Sequence, residues 1–261
     1  HRWPAALDCV YDSVNAFGST PGSEDAFLSL LGHLTQHTVA HLQSAGHSPA
    51  EEPVMVQSYF NMLKGYIIFC PLALLRSSTD TLAVLFGAAV ACVECITERD
   101  SLRAVLLFVG ALLKLKGKAD KPHLVDAYNH AIHPLVASEQ GQRLLRGLLT
   151  ALAGGAAASS QDAVAECATT LVMTLTLDAH PLVQGWVVSV LSENEKCREL
   201  DDGYRHRFLN ALVAYSSGRF AMAEKASGQA PRNPRGLLRM TLQDFGKVCT
   251  GEKSTHDCQY E

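Results

Sequence analysis

The sequence predicts an all-α chain, an α-α superhelix of stacked hairpins, on three observations. Apolar stretches of helical period begin near Trp3, Ser23, Pro53, Pro71, Asp100, Pro122, Ser160, His180, Asp202 and Pro234. No stretch keeps up the period-two alternation that a half-buried strand requires. The chain is 48% hydrophobic but only 7% aromatic. Its core must therefore be built from Ala, Leu and Val, which suit close helix-on-helix packing.

The elements follow in order. Ser23-Glu24-Asp25 reads as a capped helix start, with two acids at the positive end of the helix dipole. Its apolar stripe is Phe27, Leu30, Leu31, Leu34, Thr38 and Leu42, and Gly46 is the expected stop. Pro53 suits the first position of the next helix, whose stripe is Val56, Phe60, Leu63 and Ile67. Pro71 ends that helix, because the residue before a proline is pushed out of helical geometry. A new stretch carries Leu82, Leu85, Phe86, Ala89 and Val93. Residues 102–115 are apolar almost all round, the mark of a helix sandwiched between neighbours. Lys114, Lys116, Lys118 and Lys121 around Gly117 read as a solvated loop.

Segment 122–153 reads as helical with a break at Pro134, ended by Gly154-Gly155. Ser159 with Asp162 resembles a capping box ahead of Val164, Cys167, Leu171 and Leu175. His180-Pro181 opens a helix containing Trp186, which should be buried. Asp202 precedes Tyr204, Phe208, Leu212 and Tyr215. Residues 218–233, rich in Gly, Ser, Ala and Pro, read as a connector. Asn233-Pro234 starts a last helix closed by Gly251.

Paired, these stretches give five two-helix units at 3–45, 53–95, 99–153, 160–192 and 202–250, making one arch over 1–251 with a polar tail at 252–261. Units opening roughly every 40 to 60 residues fall in the range of HEAT and armadillo-like solenoids. Such a chain builds surface rather than a single pocket, which favours binding over catalysis.

Bulk properties narrow the class further. The net charge of −4 supplies no drive toward nucleic acid or an anionic membrane, so neither is an expected partner. The longest apolar runs, 82–93 and 104–113, are shorter than the roughly 18 residues of a membrane span. No basic segment followed by an apolar signal core opens the sequence, and no glycosylation sequon occurs. The eight cysteines are scattered, and a chain of 261 residues needs no disulfide scaffold, so free thiols are expected.

Each candidate for chemistry has a plainer reading. Cys92 and Cys95 form a C-x-x-C, but a structural zinc site needs a second ligand pair and none lies nearby. His33, His37 and His41, at i, i+4 and i+8, could hold a metal in a helical metalloenzyme. They lack a carboxylate in the motif and read instead as a polar helix edge. His123, His130 and His133 also read as a helix face. No nucleophile elbow, P-loop or dinucleotide fingerprint is present, so the expectation is a non-enzyme with no catalytic residues, cofactor or metal. Arg143 and Arg146, three residues apart on one helix face, are the candidate partner-binding residues. Arg232, Arg235 and Arg239 form a second basic edge.

A family resemblance lies in the order of several weak motifs. Cys70-Pro71-Leu72-Ala73-Leu74-Leu75-Arg76-Ser77 looks like the proline-led turn between helices in the carboxyl-terminal part of importin-β-like karyopherins of the transportin-3 and importin-13 branch. GQRLLRGLLTALAGG, then Asp162 and Ala165, then Leu182 and Trp186, keep that branch's order. LLRMTLQDFGKVCTG, with Val248-Cys249 and Gly251, resembles its closing helix, although Thr250 stands where a basic residue is usual. The resemblance implies a right-handed HEAT stack whose second helices, here near 23–45, 71–95, 121–153, 180–192 and 234–250, face the partner. It also implies a Ran-dependent nuclear transport receptor that binds protein cargo, Ran-GTP and nucleoporins and shuttles between cytoplasm and nucleus. Full receptors of the class are several times longer, so this chain corresponds to the carboxyl-terminal arch. The remaining alternative is a HEAT-like scaffold or adaptor unrelated to transport.

Overall fold

A computed structural model describes residues 2–44, 48–118, 120–216, 233–258 and 260. Among them every regular element is helical: α1 (Trp3–Phe17), α2 (Glu24–Leu42), α3 (Pro53–Phe69), α4 (Pro71–Leu75), α5 (Thr79–Cys95), α6 (Arg99–Lys114), α7 (Pro122–Ala131), α8 (His133–Val136), α9 (Glu139–Thr150), α10 (Gln161–Glu193), α11 (Glu195–Arg198), α12 (Asp202–Ser216) and α13 (Pro234–Cys249), with short 3-10 and π turns between some of them. The chain divides into two compact units, His1–Gly141 and Gln142–Glu261.

The first unit is a two-layer hairpin stack. Helices α1, α3 and α6 lie side by side in one layer, while α2 packs on α4 and α5 in the other. The α1–α3–α6 layer closes tightly where Gly65 faces Tyr11: a Cβ on Gly65 would sit 2.9 Å from the tyrosine ring. Phe60 and Phe108 join α3 to α6, their rings 5.4 Å apart. Polar stitches tie the layers together. Tyr59 donates to Thr35 Oγ1 at 3.2 Å and Tyr66 to the Phe27 carbonyl at 3.1 Å, both from α3 to α2. Trp3 Nε1 donates to Thr38 Oγ1 at 3.0 Å.

The second unit is organised around α10, which packs against α12 and α13. Phe208 and Phe245 stack 4.6 Å apart across α12 and α13. Trp186 is buried, 7% exposed, as are Val183, Val187, Val190 and Leu191 on the same helix.

Several starts and stops differ from the sequence reading. Ser23 does not cap α2 through its side chain; its hydroxyl donates back to the Phe17 and Thr20 carbonyls and fastens the preceding turn. Ser159 and Asp162 form no capping box: α10 starts at Gln161, and Asp162 is engaged by Gln243 of α13 at 2.6 Å. The expected stretch from Pro71 is two helices, because Ser78 is extended and accepts from Thr81 N, capping α5. Helix α6 is capped by Glu98, a residue whose role the apolar pattern does not reveal.

The expected hairpin over 160–192 is a single helix, α10, running through Pro181. An interior proline removes one helical hydrogen bond at a cost of about 3 kcal/mol. Burial of Trp186 and its apolar neighbours on the same helix offsets that cost. The break near Pro134 is present as the α7–α8 and α8–α9 junctions, and Gly154 ends the next segment at φ +106°. Asn233 caps α13 by accepting from Arg235 N, while most of the expected connector at 218–233 lies outside the described residues. Gly46 is also outside them.

Candidate partner-binding surface

Helices α2 and α5 are the second helices of the first two hairpins, and a groove of about 540 Å³ runs between them. Along α2 and its C-cap the wall is Ser29, Gln36 and Gln43, spaced by seven residues, with Gly32 and Ala40 interleaved. A spacing of seven keeps side chains on one face of a helix, two turns apart. Across the groove stand Ser77, Ser78, Asp80, Thr81 and Val84. Leu28 and Val39 supply apolar floor, and Val84 is 44% exposed at the lip. Among the described residues of the wall Asp80 is the sole acid and there is no Lys or Arg. The site offers hydroxyl and amide groups over an apolar strip, with one negative charge at the edge. That mixture suits the side chains of another protein.

The candidate histidines separate. His33 opens into this groove, whereas His37 and His41 line a second hollow of about 570 Å³ with Trp3, Glu51 and Glu52. His37 meets Trp3 edge-on with ring centroids 6.2 Å apart, and His41 Nε2 lies 3.8 Å from Glu52 Oε1. The three therefore do not share one site, and among the described residues no group of three or more His, Cys, Asp or Glu is arranged to hold a metal ion. His133 leaves the helix of His123 and His130, because α7 ends at Ala131. Cys92 is buried in α5, which pushes its thiol well above the ordinary range; Cys95 is raised for the same reason. Neither has the lowered thiol pKa of a redox C-x-x-C nucleophile.

Arg143 and Arg146 both lie on the exposed face of α9, opposite the buried Leu144, Leu145, Leu148 and Leu149. Arg146 Nη2 is 3.0 Å from Glu193 Oε2, with both side chains about half exposed. Arg235 and Arg239 turn inward to acids of α10. Arg235 Nη2 reaches Glu166 Oε1 at 2.5 Å and Thr170 Oγ1 at 2.8 Å, and Arg239 lies 3.9 Å from Asp162. Their charges are met within the unit, so they hold α13 to α10; Arg232 lies outside the described residues. The groove itself was not singled out by the sequence. Its only trace there is the heptad-spaced Ser29, Gln36 and Gln43, a pattern indistinguishable from an ordinary solvated face until α5 is placed beside it.

Among the described residues no helix is long and apolar enough to cross a membrane. No family model matches the chain, and no curated protein matches it.

Proposed function

We propose that this chain binds protein partners along the α2–α5 groove, as the carboxyl-terminal part of a Ran-dependent nuclear transport receptor of the importin class. The observation that carries the binding role is the groove itself: a polar-edged hollow between the second helices of stacked hairpins. The transport assignment rests on the order of the karyopherin-like segments from Cys70 to Gly251. In this reading the partners are protein cargo, Ran-GTP and nucleoporins, and the receptor shuttles between cytoplasm and nucleus. Arg143 and Arg146 serve as a basic contact on α9.

The test uses the longest coding sequence that contains this chain. Several hundred further residues of helical hairpins upstream, together with a captured protein that GTP-loaded Ran releases, support the transport reading. A captured protein that GTP-loaded Ran does not release assigns the chain instead to a scaffold or adaptor with the same groove.

A further inference from the structure

The second hollow of the first unit, about 570 Å³, gathers an indole ring, two carboxylates and apolar wall in one place. Trp3, the first residue of α1, lines it together with Glu51 and Glu52, the last two residues before α3. The ring is fixed twice. Its Nε1 donates to Thr38 Oγ1 at 3.0 Å, and it meets His37 edge-on at 6.2 Å. An indole has one polar group, and that bond uses it, so Trp3 offers the hollow ring surface rather than a donor. The carboxylates are not spent on the helix they precede. Acids at a helix start commonly accept from its backbone. Here Glu52 makes no side-chain cap, and Glu51 Oε2 accepts instead from Ser48 N at 3.2 Å. Among the described residues lining the hollow there is no Lys or Arg. His41 Nε2 stands 3.8 Å from Glu52 Oε1, beyond hydrogen-bond reach. Pro4, Pro53 and Met55 supply apolar wall, and Val54 stands 62% exposed at the lip.

We propose that this hollow is a binding site for a small diamine or polyamine, an apolar chain that carries more than one ammonium group. Two carboxylates in a lining without Lys or Arg complement two positive charges. The indole surface adds attraction for a cation, since the face of an aromatic ring is electron-rich. The methylenes between the charges cover the prolines, Val54 and Met55 and remove them from water. Each wall thus matches a different part of one ligand. A divalent metal ion matches the site less well. It needs several converging oxygen ligands, and among the described residues no group of three or more His, Cys, Asp or Glu is arranged to hold one. The hollow shares α2 with the α2–α5 groove but no lining residue, so the assignment stands apart from the protein-binding role.

The experiment is calorimetric titration of the native chain with cadaverine at low salt. The expected result is binding at one site that weakens as salt rises. The double variant Glu51→Gln with Glu52→Gln should bind at least about tenfold more weakly, because the charged acceptors are gone. Trp3→Leu should lose at least about threefold, the share of the ring. Pentylamine, with the same chain and one charge, should bind more weakly than cadaverine. Absence of cadaverine binding overturns the proposal, and so does full affinity in the folded glutamine variant. Displacement of cadaverine by an equal concentration of magnesium chloride also overturns it, since the hollow would then be an acidic surface only. A lysine side chain, presented as Nα-acetyl-lysine amide, that binds more tightly than cadaverine overturns it in favour of a protein ligand. Both glutamates reach solvent, so the glutamine variant decides the matter even if Trp3→Leu does not fold.

Discussion

The Tyr66 hydroxyl, on α3, donates to the Phe27 carbonyl of α2 at 3.1 Å, and the two rings meet edge-on with centroids 6.0 Å apart. Tyr59, seven residues earlier on the same face, repeats the stitch to Thr35. The two tyrosines fix how α2 lies on α3, and α2 is one wall of the groove. Burial raises the pKa of Tyr66 above the ordinary phenol range, which favours the neutral, donating form. Tyr66→Phe removes one buried hydrogen bond and should cost about 1 kcal/mol. Tyr66→Ala also opens a cavity and should cost about 3–5 kcal/mol. Denaturant midpoints of the two variants check the ratio; equal losses would mean that the hydroxyl, not the ring, holds the layers.

Trp186 gives a second stability test, in the other unit. It is 7% exposed on a helix interrupted by a proline, so the segment after Pro181 depends on what it buries. Trp186→Ala should cost about 3–5 kcal/mol. For a chain of this size that corresponds to a drop of roughly 6–20 °C in melting temperature. An unchanged melting temperature would show that α10 does not rely on this side chain.

Glu98 supplies a pH dependence. Its carboxylate accepts from Asp100 N at 3.0 Å and from Ser101 N and Ser101 Oγ at 2.7 Å each, bonds that favour the charged form and lower its pKa. A carboxyl lowered in the folded state contributes stability above its unfolded pKa of about 4.3, and that contribution fades as pH falls through the folded value. Glu98→Ala should cost about 1 kcal/mol at pH 7, the usual worth of a cap. The gap between variant and wild type should narrow below about pH 4. A gap constant from pH 7 to pH 3 would contradict the charged cap.

The helical class, the proline-led starts at Pro53, Pro71 and Pro234, and the burial of Trp186 are all legible in the sequence, because they depend on local period and local φ restriction. What the sequence does not show depends on exact turn geometry or on long-range partners. Ser23 matches a cap by type, but the left-handed Gly22, at φ +85°, leaves its hydroxyl near the turn carbonyls instead. Arg235 reads as a free surface cation until Glu166, sixty-nine residues earlier, is packed beside it. The groove is invisible for the same reason: it is made by two segments that tertiary packing alone brings together.

The arginine pair on α9 separates a stability role from a binding role. The Arg146–Glu193 bridge is exposed on both sides, so its loss should cost at most about 1 kcal/mol. Arg146→Gln should therefore leave the melting temperature nearly unchanged. If the pair meets acidic groups on a partner, the same change should weaken capture at low salt and have less effect at high salt, because screening already removes the attraction. Capture that is identical at both salt levels would take these residues off the binding surface.

Gly32 offers the sharpest test of the groove. It lies inside α2, in the groove wall, and a Cβ added there meets nothing within 4 Å. A larger residue at this position is not opposed by packing, and replacing a mid-helix glycine with a good helix former gains up to about 1 kcal/mol. Gly32→Leu should therefore fold at least as well as the wild type while its side chain occupies the groove. A protein partner seated between α2 and α5 would then meet a filled hollow and should bind at least about tenfold more weakly, the equivalent of about 1.4 kcal/mol. Circular dichroism and thermal unfolding establish that the variant is folded, and capture of the wild-type chain's partner gives the affinity. Full affinity in a folded Gly32→Leu chain would exclude the α2–α5 groove as the docking surface. Loss of affinity with an unchanged or raised melting temperature would locate binding there, since a merely structural glycine would have weakened both.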